Sequence, residues 1–169
     1  MKTSVLSALL LAVGVSAADT APQVGQAAPD FTLPSQDGSR VSLHDFKGKW
    51  VVLYFYPKDG THGCTIEAHN FQRDLAKYEE KNAVIIGVSV DSSASHQDFC
   101  TKQSLTFKLL ADTEKKVVAE YGSLSERGFA SRNTFLIDPK GKIVKVWTGV
   151  KPQEHSDDVL ATLSELQKN

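Results

Sequence analysis

Apolar and polar residues alternate in two short stretches near the beginning of the chain. The alternation runs over residues 31–33 and again over 41–43, and Asp37-Gly38 lies between the two stretches. A period of two is typical of half-buried strands, and Asp-Gly between two such strands favours a tight turn. The pattern predicts an N-terminal β-hairpin.

Two later stretches are almost continuously apolar. Residues 49–56 contain the run Trp-Val-Val-Leu-Tyr-Phe-Tyr, and residues 83–90 read Ala-Val-Ile-Ile-Gly-Val-Ser-Val. Runs of β-branched and aromatic residues are typical of strands buried on both faces, which belong to parallel or mixed sheets. Shorter strands are predicted over residues 107–110, 133–137 and 142–148, the last two around the turn signature Asp-Pro-Lys-Gly.

Helical spacing of apolar residues marks the segments between these strands. The first predicted helix has about four turns, places a cysteine in its first turn and has on its apolar face Cys64, Ala68, Phe71, Leu75 and Tyr78. The second begins near residues 91–93 and carries Cys100. The third is capped by Asp112 and ends at Gly122. The last is lined by Val159, Leu160, Leu163 and Leu166.

Strands that alternate with helices indicate an α/β layer structure, and the closing pair of strands makes the sheet mixed. With 169 residues, 41% of them apolar, the chain is long enough for one compact core and too short to expect two. Residues 18–29 are small, polar and Pro-containing, so they are expected to form a flexible lead-in. We therefore predict a single domain over residues 18–169.

Residues 1–17 have the pattern of a secretory signal peptide. Lys2 precedes an apolar run from Val5 to Val15, and Ser16 and Ala17 supply the small residues of a cleavage site. The alternative is a membrane anchor, but a run of about eleven residues is well short of the roughly 20 needed to span a bilayer. We expect export to the periplasm or the exterior.

Charge excludes two classes of partner. The 19 Lys and Arg residues nearly balance 20 Asp and Glu residues, the net charge is -1, and no basic stripe or block of like charge is present. Neither nucleic acid nor an anionic membrane surface is therefore indicated as a partner. A small or weakly charged substrate is expected.

The chain has two cysteines, Cys64 and Cys100. In an exported protein such a pair first suggests a static disulfide, although a domain of this size does not need one to fold. Cys64 lies in the first turn of a predicted helix, where free backbone N–H groups and the helix dipole favour a thiolate. Position alone leaves a reactive thiol and a buried structural cysteine equally open.

The residues around Cys64 change that balance. Residues 57–64, Pro-Lys-Asp-Gly-Thr-His-Gly-Cys, match the Pro-x-x-x-Thr-x-x-Cys signature of peroxiredoxins, after a buried strand and at the start of a helix. Glu67 and Arg132 also fit the family pattern. Residues 150–155, followed by a Leu-rich helix, resemble the bacterioferritin comigratory protein or peroxiredoxin Q subfamily of atypical two-cysteine enzymes. The resemblance covers about residues 24–166.

The resemblance implies a thioredoxin-like fold, with a central mixed β-sheet flanked by helices and an N-terminal hairpin. It also implies a thioredoxin-dependent peroxidase that reduces hydrogen peroxide or alkyl hydroperoxides. Cys64 would be the peroxidatic cysteine, Thr61 would hydrogen-bond the peroxide, and Arg132 would offer donors to the thiolate and the peroxide oxygens. Pro57 would shield the sulfur, and Glu67 would support the site.

No metal, flavin or haem is implied by the resemblance. The reductant would be a thioredoxin-like dithiol protein, and peroxiredoxin Q proteins are commonly monomers. Outside the matching motifs, His155 is expected at the surface or at a hinge, and Trp50 and Trp147 are expected in the core.

The resemblance also bears on the second step of the reaction. A sulfenic acid on Cys64 must condense with another thiol before further oxidation. Many members carry that resolving cysteine five positions downstream, where this chain has His69, so Cys100, 100 minus 64 or 36 positions away, is expected to resolve. Because the two Cα atoms must come within about 7 Å, the Cys64–Cys100 disulfide is expected to unwind helix ends.

Three other interpretations are open. Cys100 could be a bystander in a one-cysteine peroxidase. A disulfide oxidoreductase of the same fold is disfavoured because position 61, where Cys-x-x-Cys would need a cysteine, is Thr61. A metal-binding module could use two histidines and two cysteines, although their spacings do not resemble those of structural zinc sites: His62, Cys64, His69 and Cys100.

Overall fold

The computed structural model describes residues 21–168, and the predicted signal peptide lies outside them. The chain first forms a small antiparallel hairpin, β1 (Thr32–Pro34) and β2 (Arg40–Ser42), and then a 3-10 helix over Leu43–Phe46. The other elements follow as β3 (Trp50–Phe55), α1 (His62–Glu80), β4 (Ala83–Ser89), α2 (Ser93–Gln103), β5 (Lys108–Ala111), α3 (Lys116–Glu120), β6 (Thr134–Ile137), β7 (Ile143–Trp147) and α4 (His155–Leu166). Over this described range, no helix combines the length and the apolar character needed to cross a bilayer.

The strands from β3 to β7 form one mixed sheet in the order β5-β4-β3-β6-β7. Strands β3, β4 and β5 run parallel, and each is linked to the next by a helix, α1 or α2. Strands β6 and β7 run antiparallel to their neighbours. The predicted α/β architecture, with a mixed sheet, flanking helices and an N-terminal hairpin, is confirmed.

Alternation along β3 divides the interior into two cores. Leu53 and Phe55 belong to a first core, which the hairpin and α3 cover. Val52 and Tyr54 belong to a second core on the other face, to which the three longer helices contribute Cys64, Phe71, Phe99, Cys100 and Leu163. The strand is continuously apolar because neither of its faces meets water.

The central strand also determines where the chemistry lies. β3 ends at Phe55, and the loop over residues 56–61 leads into α1, so that helix starts at the carboxyl edge of β3. β6 runs antiparallel beside β3 with Thr134 opposite Tyr54, so the residues just before β6 reach the same edge. Ligands of open α/β sheets bind at this kind of edge.

Two predicted element boundaries are wrong. The third helix is only five residues long, Lys116–Glu120, and Asp112 lies before it rather than at its cap position. The buried Asp112 carboxylate instead accepts the N–H of Val118 at 2.7 Å, so it ties the preceding loop to the helix. Leu43 opens the 3-10 helix instead of extending β2, because Ser42 caps that turn and its N–H donates to Asp45 Oδ2 at 2.8 Å.

The described part of the lead-in, residues 21–29, is held against the sheet rather than flexible. The N–H of Gly25 donates to the Ile143 oxygen at 2.7 Å, and the Ile143 N–H donates to the Gln26 oxygen at 2.9 Å. The N–H of Ala28 donates to the Gly141 oxygen at 2.9 Å. Composition could not reveal this, because the backbone partners lie far along the chain, in the turn before β7 and at its first residue.

His155 is buried, so the prediction of a surface or hinge position is wrong. It is the first residue of α4, it is 2% exposed, and its Nε2 lies 2.8 Å from Thr134 Oγ1. Its ring packs edge-on against Phe71 and Trp147, with centroid separations of 5.7 Å in both cases. Burial lowers the pKa of His155 to about 4. Trp147 and Trp50 are half-buried against the second core.

A His155→Gln variant should lose part of the pH dependence of unfolding. The folded pKa of about 4 lies below the ordinary value of 6.5. The unfolded chain therefore binds the proton more tightly, and the wild-type protein loses stability as the pH falls through that window. The loss should reach roughly 3 kcal/mol, since one pKa unit corresponds to about 1.4 kcal/mol.

Urea unfolding of both proteins at neutral pH and near the lower end of the window measures this difference. The exposed His69 on α1 gives the matched control, His69→Gln, which should keep the wild-type pH dependence. An unchanged pH dependence in His155→Gln would contradict the assignment of this effect to His155.

Candidate active site

The amino end of α1 places Cys64. Thr61 is the cap residue, the helix begins at His62, and Cys64 is its third residue and only 1% exposed. Gly60 has φ +70°, a left-handed conformation that glycine adopts without strain, and it lets the loop turn into the helix. The sulfur therefore lies in the first turn, where backbone N–H groups have no partner within the helix.

Thr61 and Pro57 lie in the loop between β3 and α1. The Thr61 hydroxyl donates to the backbone oxygen of Lys58 at 3.0 Å instead of capping the helix, so its own oxygen can still accept a hydrogen bond. Thr61 is exposed and Pro57 is half-buried. The loop thus presents one exposed hydroxyl three residues before the sulfur.

Arg132 contacts Cys64 from a distant part of the chain. It lies two residues before β6, its side chain is 20% exposed, and its backbone oxygen accepts the N–H of Val150 at 3.0 Å. Its Nη2 donates to Cys64 Sγ at 3.3 Å, and its Nη1 donates to Glu67 Oε2 at 2.8 Å. One guanidinium thus joins the thiol to a carboxylate.

Glu67 anchors that guanidinium from below the surface. The side chain is 1% exposed, and its second oxygen, Oε1, has no hydrogen-bond partner among the described residues. Burial raises the pKa of Glu67 to about 7, although the charge and hydrogen bond of Arg132 act in the opposite direction. A fixed carboxylate and the rigid fork of the guanidinium together hold Nη2 against the sulfur.

Gly63 is a site residue that sequence reasoning missed. A Cβ atom at this position would lie 2.7 Å from Arg132 Nη2 and 3.6 Å from Pro152 Cγ. The Arg132 guanidinium therefore occupies the space that a side chain at position 63 would need. One feature of the sequence could have identified Gly63. A glycine in the first turn of a predicted helix lowers helix stability, so its presence there suggests that another part of the chain needs the space.

Cys100 lies on α2, is 6% exposed and belongs to the same apolar core as Cys64. Both cysteines are free thiols in this structure. Burial, and to a lesser extent the charge of Asp59, raises the pKa of Cys100 to about 11. The fold thus brings Cys64, Arg132 and Glu67 into contact and leaves Cys100 as a separate buried thiol.

The residues considered for a metal site do not form one. His62 and His69 are exposed, whereas Cys64 and Cys100 are buried in the second core. Across residues 21–168, no group of three or more His, Cys, Asp or Glu side chains is arranged to hold a metal ion.

Comparison with known proteins identifies the family. The model of the AhpC/TSA family matches residues 24–146. The chain belongs to the AhpC/TSA family. It is 42% identical to Peroxiredoxin Bcp of Bacillus subtilis over 153 residues, which cover 86% of this chain and 98% of that protein. It is 41% identical to chloroplastic Peroxiredoxin Q of Triticum aestivum over 145 residues, covering 84% of this chain and 67% of that protein.

Solved structures agree with this placement. A mutant of Xylella fastidiosa PrxQ superposes with a TM-score of 0.84 at 33% identity, covering 88% of this chain and 99% of that one. The bacterioferritin comigratory protein of Xanthomonas campestris gives a TM-score of 0.79 at 34% identity, covering 87% and 98%. The thioredoxin-like fold and the assignment to the Bcp and peroxiredoxin Q group are confirmed. The protein is a peroxiredoxin, a thiol peroxidase for which the family implies peroxide substrates and a thioredoxin-type reductant.

In this peroxiredoxin an aromatic layer lies beneath the cysteines. The Tyr54 ring packs against Phe71 and Tyr56, with centroid separations of 4.8 and 5.4 Å. A Cβ atom on Gly87 would lie 2.8 Å from the Tyr54 hydroxyl, so this strand glycine makes room for the ring. Burial raises the pKa of Tyr54, and the charges of Glu67 and both cysteines add to that rise. The phenol therefore stays neutral close to both thiols.

A Gly63→Ala variant should react more slowly with peroxide while keeping its fold. Alanine stabilises a helix relative to glycine by up to about 1 kcal/mol. The added Cβ would nevertheless displace Arg132 Nη2, which lies 2.7 Å from its position. We expect a loss of at least about tenfold in the rate of Cys64 oxidation, because loss of a positioned donor typically costs ~100-fold or more.

Stopped-flow oxidation of the reduced protein, together with thermal unfolding, separates the two effects. The neighbouring His62→Ala change alters an exposed residue of the same turn and serves as the control. A Gly63→Ala protein that is oxidised as fast as wild type would show that this contact is unimportant.

Proposed function

We propose that Cys64 is the peroxidatic cysteine, and that it reduces hydrogen peroxide and alkyl hydroperoxides with the assistance of Arg132 and Thr61. The observation that carries this proposal is the 3.3 Å contact between Arg132 Nη2 and Cys64 Sγ at the amino end of α1. A cation and a helix amino terminus both favour negative charge on that sulfur.

The reaction follows from a thiolate in this position. The Cys64 sulfur attacks the nearer peroxide oxygen, so an S–O bond forms as the O–O bond breaks. The sulfur is oxidised by two electrons and the peroxide is reduced by two. The departing hydroxide or alkoxide takes up one proton and leaves as water or an alcohol, and the cysteine becomes a sulfenic acid.

Each neighbouring group has a place in that step. Arg132 is already bonded to Glu67 through Nη1, so its Nη2 can share its donors between the sulfur and the peroxide oxygens. The exposed Thr61 hydroxyl can accept the hydrogen of the peroxide O–H. Pro57 has no N–H to offer and shields the loop side of the sulfur. Alkyl hydroperoxides are included because the similar bacterioferritin comigratory protein of Xanthomonas campestris has alkyl peroxide reduction activity.

We further propose that Cys100 resolves the sulfenic acid. Its thiolate attacks the Cys64 sulfur, and an S–S bond forms as the S–O bond of the sulfenic acid breaks. The departing hydroxide takes up one proton, equivalent to the one that Cys100 released, and leaves as water. A thioredoxin-like dithiol protein then reduces the disulfide by thiol exchange. In support, both cysteines lie in one core, and Cys100 is on the helix that follows α1. The buried position of Cys100 implies that part of α1 or α2 unwinds first.

Export of the mature chain as a monomer is part of the proposal. The pattern of residues 1–17 supports export.

The monomeric state is supported by the surface of the described part of the chain. Its large exposed apolar side chains are few and offer little area for a stable dimer: Val24, Leu124 and Phe129. Expression with its own N-terminus should give a periplasmic or secreted protein that begins after residue 17 and has a monomer mass by light scattering. A cytoplasmic protein of full length would contradict export, and a dimer mass would contradict the monomer.

Two cysteine variants test the catalytic roles. Reduced wild-type protein should consume one equivalent of hydrogen peroxide and gain an intramolecular disulfide. Cys64→Ser should consume essentially none, and Cys100→Ser should react at about the wild-type rate but accumulate sulfenic and then sulfinic acid. Rapid-quench labelling followed by mass spectrometry measures all three products.

An arginine pair provides the matched control for the site. Arg132→Met should slow Cys64 oxidation by ~100-fold, a typical loss for a charge-stabilising donor. Arg127→Met changes an exposed arginine on the loop before Arg132 and should leave the rate unchanged.

Equal rates for wild type and Cys64→Ser would overturn the central assignment. A stable sulfenate in wild type without a disulfide would instead favour a one-cysteine peroxidase.

A further inference from the structure

A buried polar cluster joins the active-site loop to the helix that carries Cys100. Asp59 lies in the loop between Pro57 and Thr61, and Ser95 and His96 lie in the first turn of α2. The His96 side chain is completely buried, and the Asp59 side chain is 7% exposed. His96 Nδ1 lies 2.8 Å from Asp59 Oδ2. The proposed peroxidase chemistry makes no use of this pair.

Both ring nitrogens of His96 have a hydrogen-bond partner. Its Nε2 lies 3.1 Å from the backbone oxygen of Leu110, which can only accept, so Nε2 carries a hydrogen. Its Nδ1 lies 2.8 Å from Asp59 Oδ2 and 3.2 Å from the Tyr56 hydroxyl. Because that hydroxyl donates to Asp59 Oδ1, the partner left for Nδ1 is the carboxylate, to which it donates. Burial acts to raise the pKa of Asp59, but its interactions with His96, Ser95 and Tyr56 together outweigh burial and leave that pKa below its ordinary value. The two side chains therefore form a buried, hydrogen-bonded pair across the contact.

Asp59 has further partners on both sides of the contact. Its Oδ1 accepts the hydroxyl of Tyr56 at 2.7 Å, and its Oδ2 accepts the hydroxyl of Ser95 at 2.7 Å. Its backbone N–H donates to Asp91 Oδ2 at 2.9 Å. Asp91, Ser95 and His96 all belong to the start of α2 or the turn before it. The loop therefore cannot separate from α2 without breaking the ion pair and two more hydrogen bonds.

Cys100 follows His96 by one helical turn, so the same contact controls its surroundings. With α2 docked, Cys100 is 6% exposed, and its pKa of about 11 keeps it as a thiol. A thiolate is the species that attacks a sulfenic acid. A move into water returns the pKa towards the ordinary 9.0. Undocking of α2 would thus both free Cys100 and raise its thiolate fraction by ~100-fold at neutral pH.

We propose that the Asp59–His96 ion pair is a clasp that holds the Cys100 helix docked and thereby limits the rate at which Cys100 resolves the Cys64 sulfenic acid. Asp59 and His96 are positioning residues, since neither touches the reacting sulfur atoms. The inference rests on the proposed role of Cys100. Its consequence is that clasp strength determines how much sulfenic acid survives to meet a second peroxide and become sulfinic acid.

Asp59→Asn tests the clasp with little change of shape. The amide can donate to Nδ1 of a neutral His96 and accept from Tyr56, so the cluster keeps hydrogen bonds but loses its charges. We expect disulfide formation after one equivalent of hydrogen peroxide to accelerate by about tenfold, the scale of coupling between contacting residues. The yield of sulfinic acid at higher peroxide should fall in proportion. Amide exchange over residues 93–103 should rise in the reduced protein.

The chain offers a matched control on the same helix. Lys102 and Asp98 form an exposed ion pair at 2.7 Å on α2, and Asp98→Asn removes it without touching the buried cluster. This variant should resolve at the wild-type rate. Asp59→Glu retains the carboxylate and should return the rate towards wild type. His96→Asn should accelerate resolution as Asp59→Asn does, and the double variant should add little, because the two residues act as a unit.

Three results separate the possible failures. Rapid-quench mass spectrometry gives the rate of each step. In a Cys100→Ser background, which isolates the first step, adding Asp59→Asn should change the rate of Cys64 oxidation by no more than about twofold, as for changes outside the reacting contacts. An unchanged or slower disulfide step in Asp59→Asn, with normal first oxidation, would overturn the clasp. No disulfide in wild-type protein would overturn the proposed role of Cys100 itself.

Discussion

The site depends on one buried ion pair, between Glu67 and Arg132. A carboxylate with almost no access to water is unfavourable alone, and its pKa is raised accordingly. Arg132 compensates for that cost with a hydrogen bond of 2.8 Å, and the carboxylate in turn fixes the plane of the guanidinium. The second guanidinium nitrogen is then held 3.3 Å from the Cys64 sulfur without any bond of its own to the helix backbone. In the proposed reaction, preorganised charge of this kind would need no rearrangement when the peroxide arrives.

The rest of the fold serves this contact. β3 and β6 are antiparallel neighbours, so the residue before one strand and the helix after the other meet at one edge of the sheet. Gly63 removes the side chain that would collide with the guanidinium, and Gly87 removes the one that would collide with the Tyr54 ring. Each glycine lowers the stability of the helix or strand that contains it, at a position where a side chain from another element needs the space.

The stability of the reduced protein and the proposed resolution step make opposite demands on α2. Burial of Cys100 and Phe99 stabilises the reduced protein, and the Asp59–His96 clasp adds polar contacts at the start of the same helix. If Cys100 resolves the sulfenic acid as proposed, its sulfur must leave that environment. A charged pair suits such a clasp, because the attraction between its charges is strong in a dry interior and weak once water enters. A small opening of the helix is therefore enough to release it.

The sequence by itself determined the α/β class, the hairpin, the buried strands, and the family through residues 57–64, because period, β-branched runs and local motifs are properties of neighbouring residues. It also placed Cys64 at a helix start and picked out Arg132 and Glu67 by resemblance. Only the tertiary structure decided that His155 is buried, that residues 21–29 bond to β7, that Gly63 lies under Arg132, and that Asp59 meets His96. Each of these is a contact between segments far apart in the chain, and such contacts are set by how the sheet and helices pack rather than by any local pattern.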